Sequence, residues 1–273
     1  MVLQADFYAN SYNMEDIIMK IALQMFSLMH IMKEKGLPEA LRMAAEAGYD
    51  GVELSGFFGM TAEEVRAELD KNGLEAAGYH INWEPITLKL LEENPEEVLR
   101  MAKVLGLQSI TLASFGGKTR EEWVDFAARM EPIGKLFAEN GIPLGYHNHR
   151  SELKPLPTEP DGEKVIDLFL AMVKPEYIFW EMDTRHVVVA RQDPVEYGRK
   201  YAGRMPCIHV HDCSELTGED TAIDCAVGCG IVDNKTAIEV SGAHDWLIVE
   251  ETPTENSPEN IRISAQYLRR HFG

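Results

Sequence analysis

Residues 145–152, Gly-Tyr-His-Asn-His-Arg-Ser-Glu, crowd proton-active side chains behind a short apolar lead-in, Ile142-Pro143-Leu144. The lead-in reads as a buried strand. On a strand His147 and His149, two apart, point to one face, and Glu152 places a carboxylate just beyond them. Such side chains at a strand end pack poorly and move protons well, so chemistry is expected here.

The elements that must position them alternate along the chain. Residues 21–29, Ile-Ala-Leu-Gln-Met-Phe-Ser-Leu-Met, read as a buried strand; Leu37, Leu41, Ala44 and Ala45 then fall at helical spacing, closed by Gly48. Residues 51–55 are a short strand, and Thr61-Ala-Glu-Glu opens the next helix with a capping signature. Further strands are expected over 74–82, 109–114, 143–149, 177–184, 207–212 and 246–252. Helices are expected over 86–93, 95–105, 120–140, 161–173, 193–203, 234–242 and from 257 onward, with Pro194 and Pro258 in first turns. Trp180, inside a strand, is expected in the core. Phe57, Phe58 and Trp83 follow strand ends, where they serve either as a wall for a sugar ring or as helix packing.

Strands alternating with helices, without hairpin signals, imply a parallel sheet. Eight such units in about 250 residues fit a closed (β/α)8 barrel. An open doubly wound sheet would carry a Gly-rich phosphate loop after its first strand, and none is there. The expected organisation is an N-terminal extension over residues 1–20 and a single catalytic barrel over 21–273.

In such barrels the catalytic groups gather at the C-terminal ends of the strands. Strand two carries Glu53 and strand three ends in His80 and Asn82; strand five offers His147, His149 and Glu152. Strand six ends in Asp183 with His186 three residues on, strand seven carries His209, His211 and Asp212, and strand eight ends in Glu250 and Glu251. Neutral nitrogen and anionic oxygen donors converging from several strands are what a divalent cation requires. The competing reading, a metal-free polar cluster, is opposed by the cost of unpaired buried carboxylates.

Composition removes other classes. The formal charge is -19 over 273 residues, which repels nucleic acid and anionic membrane. No apolar run approaches the ~20 residues of a membrane span. Residues 1–20 are polar and acidic with no signal-peptide core, so a cytoplasmic enzyme is expected. Cys207, Cys213, Cys225 and Cys229 contain no C-x-x-C pair and read as free thiols.

From Ile21 to Arg270 the chain resembles the xylose isomerase-like barrel superfamily, the sugar phosphate isomerase/epimerase group. The resemblance rests on residues 21–28, 48–54 (Gly-Tyr-Asp-Gly-Val-Glu-Leu), 145–149 (Gly-Tyr-His-Asn-His), 182–186 (Met-Asp-Thr-Arg-His), 193–197 (Asp-Pro-Val-Glu-Tyr), 208–212 (Ile-His-Val-His-Asp), 228–233 (Gly-Cys-Gly-Ile-Val-Asp) and 246–250 (Trp-Leu-Ile-Val-Glu). It implies one divalent ion, manganese first and Mg, Co or Zn as alternatives, held by His147, Asp183, His209 and Glu250. It favours His209 over His211 as ligand, leaving His211, His186, Glu53 and His80 to the substrate, and it makes Glu152 a substrate contact with a share in catalysis. Many ketose epimerases of this superfamily carry Glu on strand five and use it with the strand-eight Glu as paired bases. Here His147 aligns there, which keeps a donor and puts the two-glutamate mechanism in question.

A cation beside a carboxylate suits proton abstraction next to a carbonyl, because the charge stabilises the enediolate while a base takes the proton. Glu250 and His149 are the candidate bases. The first expectation is an isomerase or epimerase acting on a small sugar or keto-sugar. The second is a lyase resembling inosose dehydratase or the enzymes that eliminate an aglycone, C-linked ones included, from 3-keto-glycosides. A barrel nuclease acting at abasic DNA is opposed by the charge and by the missing strand-five Glu. Residues 1–20 are candidates for contact with a second copy or a partner subunit, and the loop 213–234 for closing the site.

Overall fold

Apolar strand runs and well-capped helices do alternate, and the sheet closes. In the computed structural model, which describes residues 19–273, the strands are β1 (Lys20–Gln24), β2 (Gly51–Leu54), β3 (Glu75–Ile81), β4 (Ile110–Leu112), β5 (Leu144–His147), β6 (Ile178–Asp183), β7 (Cys207–Val210), β8 (Asp212–Leu216), β9 (Ala222–Cys225) and β10 (Trp246–Val249). Eight of them form a closed barrel in the order β1-β10-β7-β6-β5-β4-β3-β2, with β1 paired in parallel to β10 from Lys20↔Trp246 to Leu23↔Val249. The fold is therefore the (β/α)8 barrel. Among the described residues no helix is long and apolar enough to cross a membrane.

Local chemistry sets the helix ends. Thr61 and Thr119 each close a capping box with the Glu three residues on, Glu64 and Glu122. Asp193 caps Pro194–Lys200 by accepting from the Val195 N–H.

Three expectations shift. The first strand stops at Gln24 rather than Met29, because the Gln24 side chain accepts from the Phe26 N–H and starts a 3-10 turn over Met25–Leu28. Residues 213–234 are not one long loop: β8 and β9 pair antiparallel, Asp212↔Cys225 to Leu216↔Ala222, as a hairpin inserted after β7. The helix expected from Asp161 begins at Val165, since Lys164 is bridged to Pro155. Of the expected extension 1–20, residues 1–18 lie outside the described residues, whereas Lys20 already belongs to β1 and the Met19 N–H donates to the Phe272 carbonyl.

Inside the barrel, large side chains meet absent ones. Phe179, Trp246, Ile248 and Cys207 form a buried cluster with Ala22 and Ala77. A Cβ on Gly145 would lie 2.3 Å from the Phe179 ring, and one on Gly51 would lie 2.9 Å from the Trp246 ring. Each ring buries roughly 150–250 Å², worth about 4–6 kcal/mol of gross transfer free energy at about 25 cal/mol per Å². This dry plug is the floor on which the polar layers above it stand. Outside the barrel, Trp180 is fully buried as expected, and so is Phe57, whose ring packs edge-on to Tyr79 with centroids 5.7 Å apart.

Candidate metal centre at the barrel mouth

Period-two alternation turns the same faces of β5, β6, β7 and β10 inward, so the polar groups stack in layers above the plug. The lower polar layer holds Gln24, Glu53, Thr111, Glu181 and His209, all fully buried. Gln24 donates to Glu53 through its side-chain amide and accepts from the Ser55 hydroxyl. The upper layer holds His147, Asp183 and Glu250, with His80, His149, His186 and His211 around them.

Donor atoms of His147, Asp183, His209 and Glu250 all lie within 4.8 Å of one another. Two donors on one ion about 2.1 Å from each stand at most ~4.2 Å apart, so a small contraction would bring the four onto a common cation. Among the described residues, neither ring nitrogen of the fully buried His147 has a hydrogen-bond partner. A buried imidazole with two idle nitrogens is costly unless something binds it. The donor set thus fits a divalent cation.

Charges are already arranged around that point. His209 Nδ1 lies 2.7 Å from Glu250 Oε2, and its Nε2 lies 2.8 Å from Glu53 Oε2. Burial pushes the His209 pKa down, but the Glu181, Glu53 and Glu250 carboxylates around it outweigh this and raise it well above the ordinary histidine value. Burial works against ionised Glu250 too, yet the His209 ring holds its carboxyl down at about 2. Burial and the Glu53 carboxylate push Glu181 well up, while Glu53, buried but facing His209 and His80, stays low. Burial, then neighbouring His209 and His80, pushes His147 well below the usual range and keeps it neutral, the form a cation binds.

Asp183 ends β6 with both oxygens engaged. Oδ1 accepts from the His186 N–H at 2.7 Å, and Oδ2 meets His211 Nδ1 at 2.9 Å. The chain continues outward: His211 Nε2 lies 3.2 Å from Asp224 Oδ2 on β9, and Asp224 Oδ1 lies 2.7 Å from an Arg185 guanidinium nitrogen. Burial opposes a charged His211, but Asp183 and Asp224 lift its pKa to about 10. His186 is held at about 3, chiefly by burial, and is neutral.

The remaining expected residues divide. His80 joins the cluster, its ring 4.7 Å from that of His147. His149, half-buried, faces the mouth with its ring 5.0 Å from His147 and 4.8 Å from His186. Glu53 sits beneath the mouth against His209 rather than at its rim. Glu152 turns to its own loop: it accepts from the His149 N–H at 3.1 Å, from Ser151 Oγ at 2.8 Å and from the Tyr146 hydroxyl at 3.2 Å. That geometry makes it a brace for His149.

Sequence reading passed over Glu181, Asn148 and Asp224. Glu181 precedes Asp183 by two and so shares its face; an acid inside an apolar strand was the available signal. Asn148 Oδ1 accepts from Trp180 Nε1 and from the Asp183 N–H, both at 3.0 Å, tying the end of β5 to β6. Asp224 had no signal without the hairpin.

The xylose isomerase-like TIM barrel family model matches residues 41–271. An inosose dehydratase of Lacticaseibacillus casei is 24% identical over 271 residues, spanning 86% of this chain and 89% of the relative. A sugar phosphate isomerase/epimerase structure from Parabacteroides distasonis superposes with a TM-score of 0.73 at 23% identity, covering 92% of this chain and 93% of the other. The structure of IOLI protein with a binding zinc atom superposes at 0.65 with 14% identity, over 93% of this chain and 99% of that one. With its closed barrel and its donor cluster at the strand ends, the chain belongs to the xylose isomerase-like TIM barrel family.

Proposed function

We propose that this protein is a divalent-metal-dependent enzyme that removes a proton next to the carbonyl of a small keto-sugar or keto-polyol and expels a β-leaving group. The observation that carries this reading is the asymmetry of the mouth. Strand five contributes an imidazole, His147, so among the described residues it offers no glutamate opposite Glu250, and the Glu152 carboxylate is committed to its loop. Epimerisation through two opposed carboxylates therefore lacks one of them. Elimination needs unlike groups, a base on one side and an acid for the leaving group, and Glu250 with His149 supplies them.

His147, Asp183, His209 and Glu250 would hold the ion, which when bound supplies positive charge to polarise the substrate carbonyl. Zinc, cobalt and manganese suit mixed nitrogen and oxygen donors better than magnesium, which prefers oxygen alone. Glu250, held ionised, accepts the proton. His149 donates one to the departing hydroxyl, so that a C–H and a C–O bond break, a C=C bond forms and water leaves. His211 and His80 line the space a polyol would fill. Similarity to an inosose dehydratase over 86% of the chain supports the elimination, and the zinc in the IOLI structure supports the ion.

Isomerisation or epimerisation is the second reading, favoured by the fold likeness to a sugar phosphate isomerase/epimerase. Incubating the manganese-loaded protein with inososes and 3-keto-glycosides in deuterated water separates the two. Loss of water or aglycone is expected. Deuterium in a rearranged or epimerised sugar, with nothing eliminated, would overturn the lyase reading and support the second.

A further inference from the structure

Glu181 is the carboxylate no expected role absorbs. It is fully buried on β6, one layer beneath Asp183. Thr111 Oγ1 donates to its Oε1 at 3.2 Å, and the Cys207 thiol lies 3.4 Å from the same oxygen. Its other oxygen, Oε2, has no hydrogen bond at all. That oxygen lies 3.5 Å from His147 Nδ1, 3.2 Å from His209 Nε2 and 3.8 Å from His80 Nε2. His209 directs its Nε2 hydrogen bond to Glu53 instead; of the two imidazole nitrogens still unpaired beside Glu181 Oε2, His147 Nδ1 at 3.5 Å is nearer than His80 Nε2 at 3.8 Å.

Two complementary orphan atoms 3.5 Å apart, each fully buried, satisfy one another with a small ring rotation. A metal-binding imidazole presents one nitrogen to the ion and fixes its tautomer by donating from the other. Glu53 does this for His209, accepting from Nε2 and leaving Nδ1 toward Glu250. Among the described residues no other group accepts a hydrogen bond from His147. We infer that Glu181 is the positioning residue for His147: as a carboxylate it accepts the Nδ1 hydrogen and so turns Nε2 toward the ion. Thr111 and Cys207 anchor its other oxygen, which fixes the direction of the acceptor.

The inference rests on the proposed metal centre, and its test keeps the two apart. Zinc affinity is measured by competition with a chromophoric chelator, alongside histidine ring proton–nitrogen NMR and the melting temperature of the metal-free protein. Wild type should bind one zinc per chain, with a His147 Nδ1–H signal. Glu181→Leu should bind zinc ~10–100-fold more weakly, the range that loss of such a partner produces, and should lose that signal. Glu181→Gln, which keeps an acceptor, should fall between.

Metal-free Glu181→Leu should melt no lower than wild type, because it replaces a buried acid by an apolar side chain of similar size. A lower melting temperature with unchanged zinc affinity would mark a merely structural role and overturn the inference. So would two zinc ions in wild type and one in Glu181→Leu, which would make Glu181 a ligand. No zinc in wild type would instead refute the metal centre itself.

Discussion

Asp224 Oδ2 lies 3.2 Å from His211 Nε2, so the hairpin inserted after β7 reaches back to the residue that holds Asp183. The Thr252 N–H also donates to Asp224 Oδ2 at 3.0 Å, and Arg185 pairs with Oδ1. One carboxylate thus ties β9, the segment after β10, the helix Thr184–Val189 and His211 together.

That arrangement fixes a pH dependence. Burial opposes the Asp224 charge, but His211, Thr252 and Arg185 outweigh it and hold the carboxyl below its ordinary 3.8. A lowered carboxyl stabilises the fold above 3.8, and the contribution is lost as pH falls through the lower folded value. Asp224→Asn should lower stability near pH 7 by roughly 2–4 kcal/mol, because it leaves buried positive partners underpaired. Its melting temperature should also fall less steeply than wild type below pH 4. An unchanged acid limb in the variant would contradict the tie.

Removing a donor tests the metal centre most directly. His209→Ala and Asp183→Ala should each abolish zinc or manganese binding at concentrations that saturate wild type. Dialysis of wild type against a chelator should lower its melting temperature, since an ion that binds only the folded chain adds about 2.7 kcal/mol at a hundredfold its dissociation constant. Calorimetric titration checks the first claim and thermal scanning the second.

Splitting the two proton transfers tests the assigned roles. Glu250→Gln, which also loses a ligand, should stop both substrate deuterium exchange and elimination, with a rate loss of at least ~10²–10⁴-fold. His149→Asn should stop elimination by a similar factor while leaving exchange next to the carbonyl measurable. Mass spectrometry of recovered substrate distinguishes them, and parallel loss of exchange in both variants would withdraw the acid role from His149.

Much of this site was legible because strand ends announce themselves. His147, Asp183 and Glu250 stand at strand ends and His209 one residue before the end of β7, which marks them as candidates, while the choice of these four as the ligand set rests on the family resemblance. Glu181 was hidden by the same logic: it lies one layer deeper, where an apolar residue is the expectation, and its partners Thr111 and Cys207 come from strands 70 and 26 residues away. Glu152 looked equivalent to the histidines in sequence, yet the chain leaves β5 at His147 and turns the carboxylate back onto its own backbone. The hairpin was obscured by polar and charged residues that show no clean alternation on its exposed faces.

Gly145 and Phe179 link the barrel floor to the chemistry above it. A Cβ at position 145 would meet three ring atoms of Phe179 at 2.3, 2.5 and 2.8 Å, so either the ring or β5 must move. The ring is buried in a cluster with Ala22, Ala77, Cys207, Trp246 and Ile248. Gly145→Ala should therefore cost roughly 1–3 kcal/mol. Because His147 is two residues along the same strand, it should also weaken zinc binding. Phe179→Leu in the same chain should restore most of both losses, and the coupling of the pair should exceed ~0.5 kcal/mol in a double-mutant cycle. If Gly145→Ala lowers stability but leaves zinc affinity intact, β5 has not moved, and the floor does not set the position of His147.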